Sequence, residues 1–331
     1  MKKSKKRVRL LVTGGSGFIG TNLIEYLRTR NASFLNIDIS APLCSQHTPF
    51  WKKVDILNPQ ALQKTFREFK PKCVVHLAAR TDVVEGTTVE QDYRVNTEGT
   101  ENVISAIKAT PSVARVVITS TQYVHQPGHI PTDDEDYEPH TVYGQSKVIT
   151  EKLTRQANPE CTWTIIRPTN VWGPWHMRHR RELLRVLKKG FYLYPGKKTV
   201  IKSCGYVKNV VYYILRILEI PKETVNGKTF YIGDEPIDQF EWVNSMSRQL
   251  RGRNVYIVPR WIMHGMALVG DVITVVRGCK FLINSDRYKN MTTDYLIPMK
   301  KTFDVLGKGP HTLEEGVRDT AAWLEMLDAK S

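Results

Sequence analysis

The chain has 331 residues, of which 41% are hydrophobic and 24% charged, a balance that is typical of a folded protein and excludes a wholly disordered one. No run reaches the roughly 18 uncharged apolar residues that a membrane-spanning helix needs. The five cysteines are odd in number and lack metal-ligand spacing, so we expect unpaired thiols, no metal site and a cytoplasmic location. This length predicts one large domain with a smaller lobe.

The formal net charge of +15 has two visible sources. Six Lys and Arg residues fall within the first nine residues, and we expect them to form a basic leader in solvent. A second group of cations lies between Arg178 and Lys208, where it would form a solvated face or meet a diphosphate-bearing substrate or an anionic membrane surface. No nucleic-acid-binding motif accompanies the charge, and we therefore expect no nucleic-acid partner.

Short β-branched runs alternate with longer amphipathic stretches through the first half of the chain. Such alternation predicts right-handed strand–helix–strand crossovers and a doubly wound parallel sheet, which is an α/β fold. The predicted strands are residues 8–12, 34–37, 73–77, 116–119 and 162–166, and the predicted helices are residues 21–30, 59–69, 96–108 and 143–158.

After Pro168 the pattern is less regular. We predict helices at 180–189, 207–219, 240–250 and 313–327 and a strand at 229–232. The predicted domains are therefore residues 1–171, rejoined by about 205–233, and a smaller lobe in 172–331 above the carboxyl edge of the sheet, where ligands bind in open α/β folds. The lobe contains an apolar stretch, 261–270, and we expect it to be a buried helix. The longer run 261–276 is interrupted by Asp271.

A glycine-rich turn joins the first predicted strand to the first helix. Gly14 would allow the tight turn, Gly17 the approach of a pyrophosphate, and Gly20 close packing of the helix on the sheet. Asp38 ends the next strand, where its carboxylate can bind the adenosine ribose hydroxyls. No cation follows it closely, which favours NAD over NADP. Asp55 and Ile56, at the following strand end, would flank the adenine.

Tyr143 and Lys147 are four residues apart at the start of a predicted helix, which places both side chains on one face. A nearby ammonium lowers the pKa of a phenol, and we expect Tyr143 to exchange a proton near neutral pH. Thr121, just after a strand end about twenty residues earlier, can hydrogen-bond the reacting oxygen.

Six motifs occur in an order and spacing typical of one family. They are residues 13–20 (Thr-Gly-Gly-Ser-Gly-Phe-Ile-Gly), 76–79 (His-Leu-Ala-Ala), 96–100 (Asn-Thr-Glu-Gly-Thr), 120–121 (Ser-Thr), 143–147 (Tyr-x-x-x-Lys) and 167–174 (Arg-Pro-Thr-Asn-Val-Trp-Gly-Pro). Over nearly its whole length the chain resembles the extended short-chain dehydrogenase/reductase family, in its NAD-dependent epimerase/dehydratase branch. The resemblance implies a Rossmann-type NAD-binding domain, a C-terminal substrate-binding lobe and, by analogy, a homodimer.

The resemblance also implies the roles of individual residues. Tyr143 would be the acid/base, Lys147 would tune it and bind the nicotinamide ribose, and Thr121 would be the catalytic hydroxyl. Asn96 would support a bend in the active-site helix and count among the cofactor-binding residues. The remaining cofactor contacts would be Gly14, Ser16, Gly17, Phe18, Ile19, Gly20, Asp38, Asp55, Ile56, Leu77, Ala78, Ala79, Pro168 and Val171. The substrate contacts would be Thr81, Gln122, Tyr123, Asn170, Lys202 and Arg287.

Three positions depart from the family pattern. Family dehydratases carry Asp-Glu where this chain has Gln122-Tyr123, so a 4,6-elimination would lack its acid and base. His125 replaces a tyrosine. Lys202 replaces an arginine, and a lysine can still neutralise a phosphate but not with a bidentate fork.

These residues predict an NAD-dependent enzyme that acts on a nucleotide sugar, as a 4-epimerase or as a 4-keto reductase or dehydrogenase. Both reactions use the same residues, since an epimerase returns the hydride to the other face and a dehydrogenase releases the ketone. The alternative is a dehydrogenase for a sterol or a lipid-linked sugar, suggested by the apolar stretch 261–270 beside a basic surface. A non-catalytic NAD-binding regulator is a third hypothesis, which the intact Thr121, Tyr143 and Lys147 set disfavours.

Overall fold

The computed structural model describes residues 9–84, 86–277, 281 and 283–329. Nearly all of the predicted basic leader, as well as Cys279, lies outside these residues. The chain divides into two compact units. The first comprises the described residues up to 171 together with 205–234 and 297–310, and the second comprises the described parts of 172–204, 235–296 and 311–329.

The strands are numbered in chain order. They are β1 (Arg9–Thr13), β2 (Ser33–Asp38), β3 (Trp51–Lys53), β4 (Cys73–His76), β5 (Arg115–Thr119), β6 (Thr162–Pro168), β7 (Asn170–Trp172), β8 (Leu193–Pro195), β9 (Ile201–Lys202), β10 (Cys204–Tyr206), β11 (Lys228–Ile232), β12 (Ile237–Asp238) and β13 (Tyr256–Val258).

The helices are numbered in the same way. They are α1 (Phe18–Thr29), α2 (Pro59–Phe69), α3 (Val89–Asp92), α4 (Glu98–Lys108), α5 (Val142–Ala157), α6 (Met177–His179), α7 (Arg185–Lys189), α8 (Val207–Glu219), α9 (Lys222–Val225), α10 (Gln239–Arg251), α11 (Arg260–Arg277), α12 (Ser285–Thr292), α13 (Lys300–Leu306) and α14 (Leu313–Asp328). Short 3₁₀ turns cover Ser45–Phe50 and Gln122–Val124, and a π-helical turn, Arg180–Leu184, joins α6 to α7.

The first unit is built on a parallel sheet of seven strands within the described residues, in the order β11-β6-β5-β4-β1-β2-β3. The order reverses beside β1, which is the doubly wound arrangement, and the predicted Rossmann-type fold is confirmed. For strand β3 the sequence predicted only its end, near Asp55, and not its bounds. It has three residues, two of them exposed lysines, at the edge of the sheet, and so it lacks the apolar run that identifies a buried strand.

Both faces of this sheet are covered, because successive side chains of each buried strand point to opposite faces. Leu10 and Val12 of β1 belong to a core with residues of α1 and α8. Leu11, between them, belongs to a second core with residues of α2 and α4. The sheet is therefore held between two layers of helices, and the strand ends that carry the glycine-rich turn and Asp38 lie at one edge.

The second unit contains α10 packed against α7 and α14, and α11 packed against α12. Two short strand pairs, β8 with β13 and β9 with β12, complete it. The predicted helix at 180–189 is interrupted. The helical run starts at Met177 and contains a π-helical turn, in which one extra residue is accommodated without ending the helix.

The prediction that residues 261–270 form a buried helix is wrong in one respect. They do lie in a helix, α11, but Trp261 is 77% exposed and Val269 is 60% exposed. Among the described helices, none is both long and apolar enough to span a bilayer.

A buried ion pair fixes α5 to β6 in the first unit. The Arg167 guanidinium donates to both carboxylate oxygens of Glu151, each at 2.8 Å, and neither side chain is more than 1% exposed. Tyr231 accepts from the same guanidinium at 3.1 Å, and Tyr137 donates to the carboxylate at 3.0 Å. Removing one partner would leave a charge buried without compensation.

We therefore expect Arg167→Met to lower the free energy of unfolding by about 3–5 kcal/mol, measured by urea denaturation. The control is Lys52→Met, which breaks the half-exposed pair of Lys52 and Glu68 and should change stability by less than about 1 kcal/mol. Equal losses in the two variants would contradict the special cost of the buried pair.

Candidate functional site

The glycine-rich turn between β1 and α1 is shaped by close contacts that a side chain would block. Gly14 has a φ of +73°, and a Cβ there would lie 2.5 Å from the backbone nitrogen of Ala78. A Cβ on Gly20 would lie 2.4 Å from the carbonyl oxygen of Gly14. At Gly17, by contrast, a Cβ would have only that oxygen nearby, at 3.3 Å. Gly14 and Gly20 are therefore required by the fold itself, whereas Gly17 borders open space.

The turn is also fixed to β2. The backbone N–H of Ser16 donates to the carboxylate of Asp38 at 3.1 Å, and the N–H of Ser40 donates to it at 2.9 Å. Burial raises the pKa of Asp38, and these two hydrogen bonds oppose the rise. The sequence did not reveal a further contact: a Cβ on Gly15 would overlap the amide of Asn36, which donates to the Ser16 hydroxyl at 3.2 Å.

Tyr143 lies in the first turn of α5 and is 7% exposed. Burial raises the pKa of its phenol, while the hydrogen bond with Thr121 lowers it. The expected lowering of the Tyr143 pKa is therefore wrong for the chain alone, because desolvation outweighs the favourable contacts. Tyr123 packs edge-on to Tyr143, with 6.3 Å between ring centroids, and its hydroxyl donates to Asn170 at 3.4 Å.

Gly144 permits this arrangement, although the sequence analysis did not single it out. A Cβ at that position would lie 2.2 Å from the carbonyl oxygen of Tyr123. The helix is capped there by Thr141, whose hydroxyl accepts from the Gly144 N–H at 3.0 Å. Only glycine therefore lets α5 approach the 3₁₀ turn that follows Thr121.

Lys147 is one helical turn beyond Tyr143 and is 2% exposed. Burial lowers the pKa of Lys147 to about 8, and the charge of Glu151 opposes that shift. His76 is also buried, with its ring nitrogens 2.7 Å from the Thr13 hydroxyl and 3.1 Å from the Thr100 hydroxyl. Burial first, and the charge of Lys147 second, lower the pKa of His76 to about 3, so this imidazole is neutral.

Asn96 connects α5 to the loop after β4. Its amide donates to Ser146 at 2.8 Å and to the carbonyl of Arg80 at 3.0 Å, and its side-chain oxygen accepts from the Arg80 N–H at 2.8 Å. Ser146 in turn donates to the carbonyl of Tyr143 at 2.7 Å. The Asn96 side chain is therefore fully engaged within the protein and braces the helix beneath Tyr143.

Two polar side chains near Thr121 are buried without a partner. Neither polar atom of the Gln122 amide, 1% exposed, has a hydrogen-bond partner within the described residues. The same holds for the hydroxyl of Ser120, 2% exposed. Such groups are costly unless they are satisfied, and a bound ligand is one way to satisfy them.

The other predicted contacts of the first unit are arranged as follows. Asp55 is exposed and accepts from the Leu57 N–H at 2.9 Å, and Ile56 is buried. Thr81 is exposed. The remaining predicted contacts are buried or half-buried: Phe18, Ile19, Leu77, Ala78, Ala79, Pro168 and Val171.

Lys202 and Arg287 lie in the second unit. Lys202 is buried, its ammonium donates to the side-chain oxygen of Asn290 at 3.1 Å, and burial lowers its pKa. Arg287 is partly exposed and lies 3.5 Å from the carboxylate of Glu182. His125, the other departure from the family pattern, is buried in the first unit, with one ring nitrogen 2.7 Å from the Tyr231 hydroxyl.

Comparison with known proteins assigns this arrangement to a family. The model of the NAD dependent epimerase/dehydratase family matches residues 10–233, about two thirds of the chain. The chain belongs to the NAD-dependent epimerase/dehydratase family. It is thus an NAD-dependent enzyme of the extended short-chain dehydrogenase/reductase type, as the sequence predicted.

Individual relatives and structures agree with the family. An N-acetyl-alpha-D-glucosaminyl-diphospho-ditrans,octacis-undecaprenol 4-epimerase of Escherichia coli O157:H7 is 28% identical, over 97% of this chain and 96% of that protein. A 3-beta-hydroxysteroid dehydrogenase of Mycolicibacterium neoaurum is 30% identical, over 71% and 68%. The crystal structure of UDP-glucuronic acid 4-epimerase from Bacillus cereus, in complex with UDP-glucuronic acid and NAD, has the same fold, with a TM-score of 0.71 at 19% identity over 97% and 100%.

The residues present fit NAD. The N-terminus of α1 directs N–H groups outward at Gly17, where no side chain occupies the approach. The carboxylate of Asp38 is half-buried beside this turn, in the position that suits a ribose. The site residues were predicted from sequence, and their roles in binding and catalysis remain predictions.

We expect Gly17→Ala to weaken NAD binding at least roughly tenfold, about 1.4 kcal/mol, with little loss of stability, because its methyl group would enter the open space. The matched variant is Gly20→Ala, whose Cβ would overlap Gly14 and Gly15 and should instead destabilise the fold. Calorimetric titration with NAD and thermal melting separate the two effects. Wild-type affinity in Gly17→Ala would contradict the proposed approach of the pyrophosphate.

The lowered pKa of Lys147 has a consequence for stability. Because its pKa is about 8 in the folded chain and 10.5 ordinarily, the unfolded chain binds more protons between these values, and the free energy of unfolding rises with pH across that window. Between about pH 7.5 and 9.5, we expect the free energy of unfolding to increase by about 2 kcal/mol less in Lys147→Met than in the wild type, measured by urea denaturation. Lys152→Met, exposed on the same helix, should keep it. The same pH dependence in Lys147→Met and wild type would refute the burial of this ammonium.

Proposed function

We propose that this enzyme oxidises and reduces C4 of a sugar carried on a diphosphate, as a 4-epimerase or a 4-keto reductase or dehydrogenase, with Thr121, Tyr143 and Lys147 as its reaction centre. The observation that carries the proposal is the buried phenol of Tyr143, whose pKa the Thr121 hydroxyl lowers against the effect of burial, on the same helix as the buried Lys147. Support comes from relatives named as 4-epimerases of a lipid-linked sugar and of UDP-glucose.

The chain's own groups supply the proton chemistry. Because burial raises the pKa of Tyr143, its phenol is protonated at neutral pH, which suits donation to a carbonyl oxygen of the substrate. In the reverse direction the phenolate accepts the hydroxyl proton, and the ammonium of Lys147 stabilises that anion. Thr121 holds the reacting oxygen through its hydroxyl. Bound NAD would supply the hydride acceptor and donor.

The residues beside Thr121 argue against elimination. The amide of Gln122 can bind a substrate hydroxyl through its unpartnered atoms, but it cannot exchange a proton as the acid of a dehydratase would. We propose Thr81, Gln122, Tyr123 and Asn170 as substrate contacts, with Lys202 and Arg287 for the diphosphate.

A cytoplasmic homodimer remains part of the proposal by analogy with the family, and size-exclusion chromatography with light scattering tests it.

The second candidate is a dehydrogenase for a sterol or another lipid-linked hydroxyl substrate. It is favoured by the exposed apolar face of α11 and by the similarity to a steroid dehydrogenase. The same three residues would perform that oxidation, so the substrate alone separates the two candidates. A non-catalytic NAD-binding role is disfavoured by the intact reaction centre.

The test is to incubate the purified enzyme and NAD with UDP-glucose, UDP-N-acetylglucosamine, undecaprenyl-diphosphate N-acetylglucosamine and a 3β-hydroxysteroid. NMR detects a C4 epimer, and NADH absorbance detects net oxidation. We expect epimer from a diphosphate sugar and a loss of kcat of about 10²–10⁴-fold in Tyr143→Phe, which should still bind NAD. The exposed Tyr26→Phe is the control. Oxidation of the steroid alone, or undiminished turnover by Tyr143→Phe, would overturn the proposal.

A further inference from the structure

Helix α11 carries apolar side chains both on its buried face, where Met263 is 2% and Ala267 is 0% exposed, and on its outer face. Counting from Trp261 as position i, the apolar side chains at i, i+7, i+11 and i+14 lie on one face of the helix. They form a stripe that faces solvent rather than the protein. The stripe contains Trp261, Leu268, Val269, Val272, Val275 and Val276, each at least half exposed. It is about 21 Å long, and the described side chains on it include no charge.

The orientation of α11 is fixed by contacts within the second unit. Asp271 accepts from the backbone N–H and the hydroxyl of Ser285. Arg260 donates to the carbonyl of Pro195 at 3.3 Å, and the exposed His264 packs on the ring of Tyr288. Rotating the helix to bury the apolar stripe would break these contacts and would expose Met263 and Ala267, which are buried.

Exposed cations lie on two segments that contact α11. Lys197 and Lys198 are exposed in the loop that Arg260 contacts at the start of the helix. Lys289 is exposed on α12, which packs against α11. An apolar stripe with a basic border has the composition of a helix that lies in the surface of an anionic bilayer.

The charge of the whole chain follows the same pattern. Residues 172–204 contain nine Lys and Arg and one Glu, and residues 248–289 contain eight Lys and Arg and two Asp. Together they account for +14 of the net charge of +15, although they make up less than a quarter of the chain. Both segments belong to the second unit, whose remaining residues carry a net charge of −7, so the cations of this unit are concentrated in these two segments.

This charge also decides between possible occupants of the stripe. A second copy of the chain, paired about a two-fold axis, would place the same cations opposite one another and would be repelled. An anionic lipid surface attracts them, and Trp261 at one end is the side chain favoured at the border of water and lipid. We propose that α11 docks the second unit on an anionic membrane, with the stripe inserted among the lipid headgroups.

Docking of this kind would narrow the range of substrates that the enzyme meets, an inference that rests on the proposed function. An enzyme held at a bilayer meets sugars whose diphosphate is attached to a lipid. The preferred substrate would then be a lipid-linked diphosphate sugar rather than a free nucleotide sugar.

The experiment is flotation of the full chain with vesicles of phosphatidylcholine, alone or with phosphatidylglycerol, at physiological salt. We expect binding to the anionic vesicles, and at least a tenfold loss of affinity in the double variant Val272→Glu, Val275→Glu. The matched control is Ile130→Glu, an exposed apolar side chain of the first unit, which should bind as wild type does. A variant with Gln at Lys2, Lys3, Lys5 and Lys6 should keep most of the binding.

Three results would overturn the docking proposal. They are no binding by the wild type, undiminished binding by the double variant, and loss of binding on neutralising the leader alone. Conversion of a dimer to a monomer by the double variant, without vesicle binding by the wild type, would identify a second copy as the occupant. Turnover of a water-soluble nucleotide sugar should be unchanged in the double variant. Vesicle binding by an enzyme that turns over no diphosphate sugar would refute the proposed function and leave the docking intact.

Discussion

Helix α5 is fixed along its length by contacts that allow little change, and the reaction centre depends on this placement. At its start the absence of a side chain on Gly144 lets the helix approach the turn after Thr121. In the middle Ser146 is held by Asn96, and one turn further on the carboxylate of Glu151 is held by Arg167. Tyr143 lies beside the first of these contacts and Lys147 between the second and the third. Both side chains are buried, which is why their proton affinities depart from the ordinary values.

This placement explains how one scaffold serves chemically different substrates. The groups proposed to handle the proton, Thr121, Tyr143 and Lys147, all lie in the first unit, on or near α5, and they would act alike on a sugar or a sterol hydroxyl. The family accordingly contains relatives named for both classes. The choice between substrates therefore depends on the residues around the proposed reaction centre. One of these is Gln122, whose buried amide has no hydrogen-bond partner within the described residues.

The sequence predicted those parts of the fold that depend on local pattern. Alternating runs identified the buried strands, and the glycine spacing identified the turn before α1. The Asn36 contact with Gly15 and the close approach at Gly144 could not be predicted, because they depend on which distant segments meet. The raised pKa of Tyr143 was missed for a related reason: spacing places a lysine on the same helix face but does not measure desolvation. The exposure of α11 was missed because an apolar stretch is ordinarily buried, and only the structure shows which of its two apolar faces packs inside the second unit.

The π-helical turn at Arg180–Leu184 bears on how this part of the chain tolerates change in length. Each residue of an α-helix advances the chain by about 100°, so one residue added within a turn would rotate everything after it by more than a quarter of a revolution. The wider π-helical turn accommodates the extra residue locally, so α6 and α7 form one continuous helix. Deleting one residue here should therefore shorten the continuous helix by one residue and restore regular α-helical geometry. The glycine-rich turn has no wider turn of this kind, so it could not absorb a deletion of the same size.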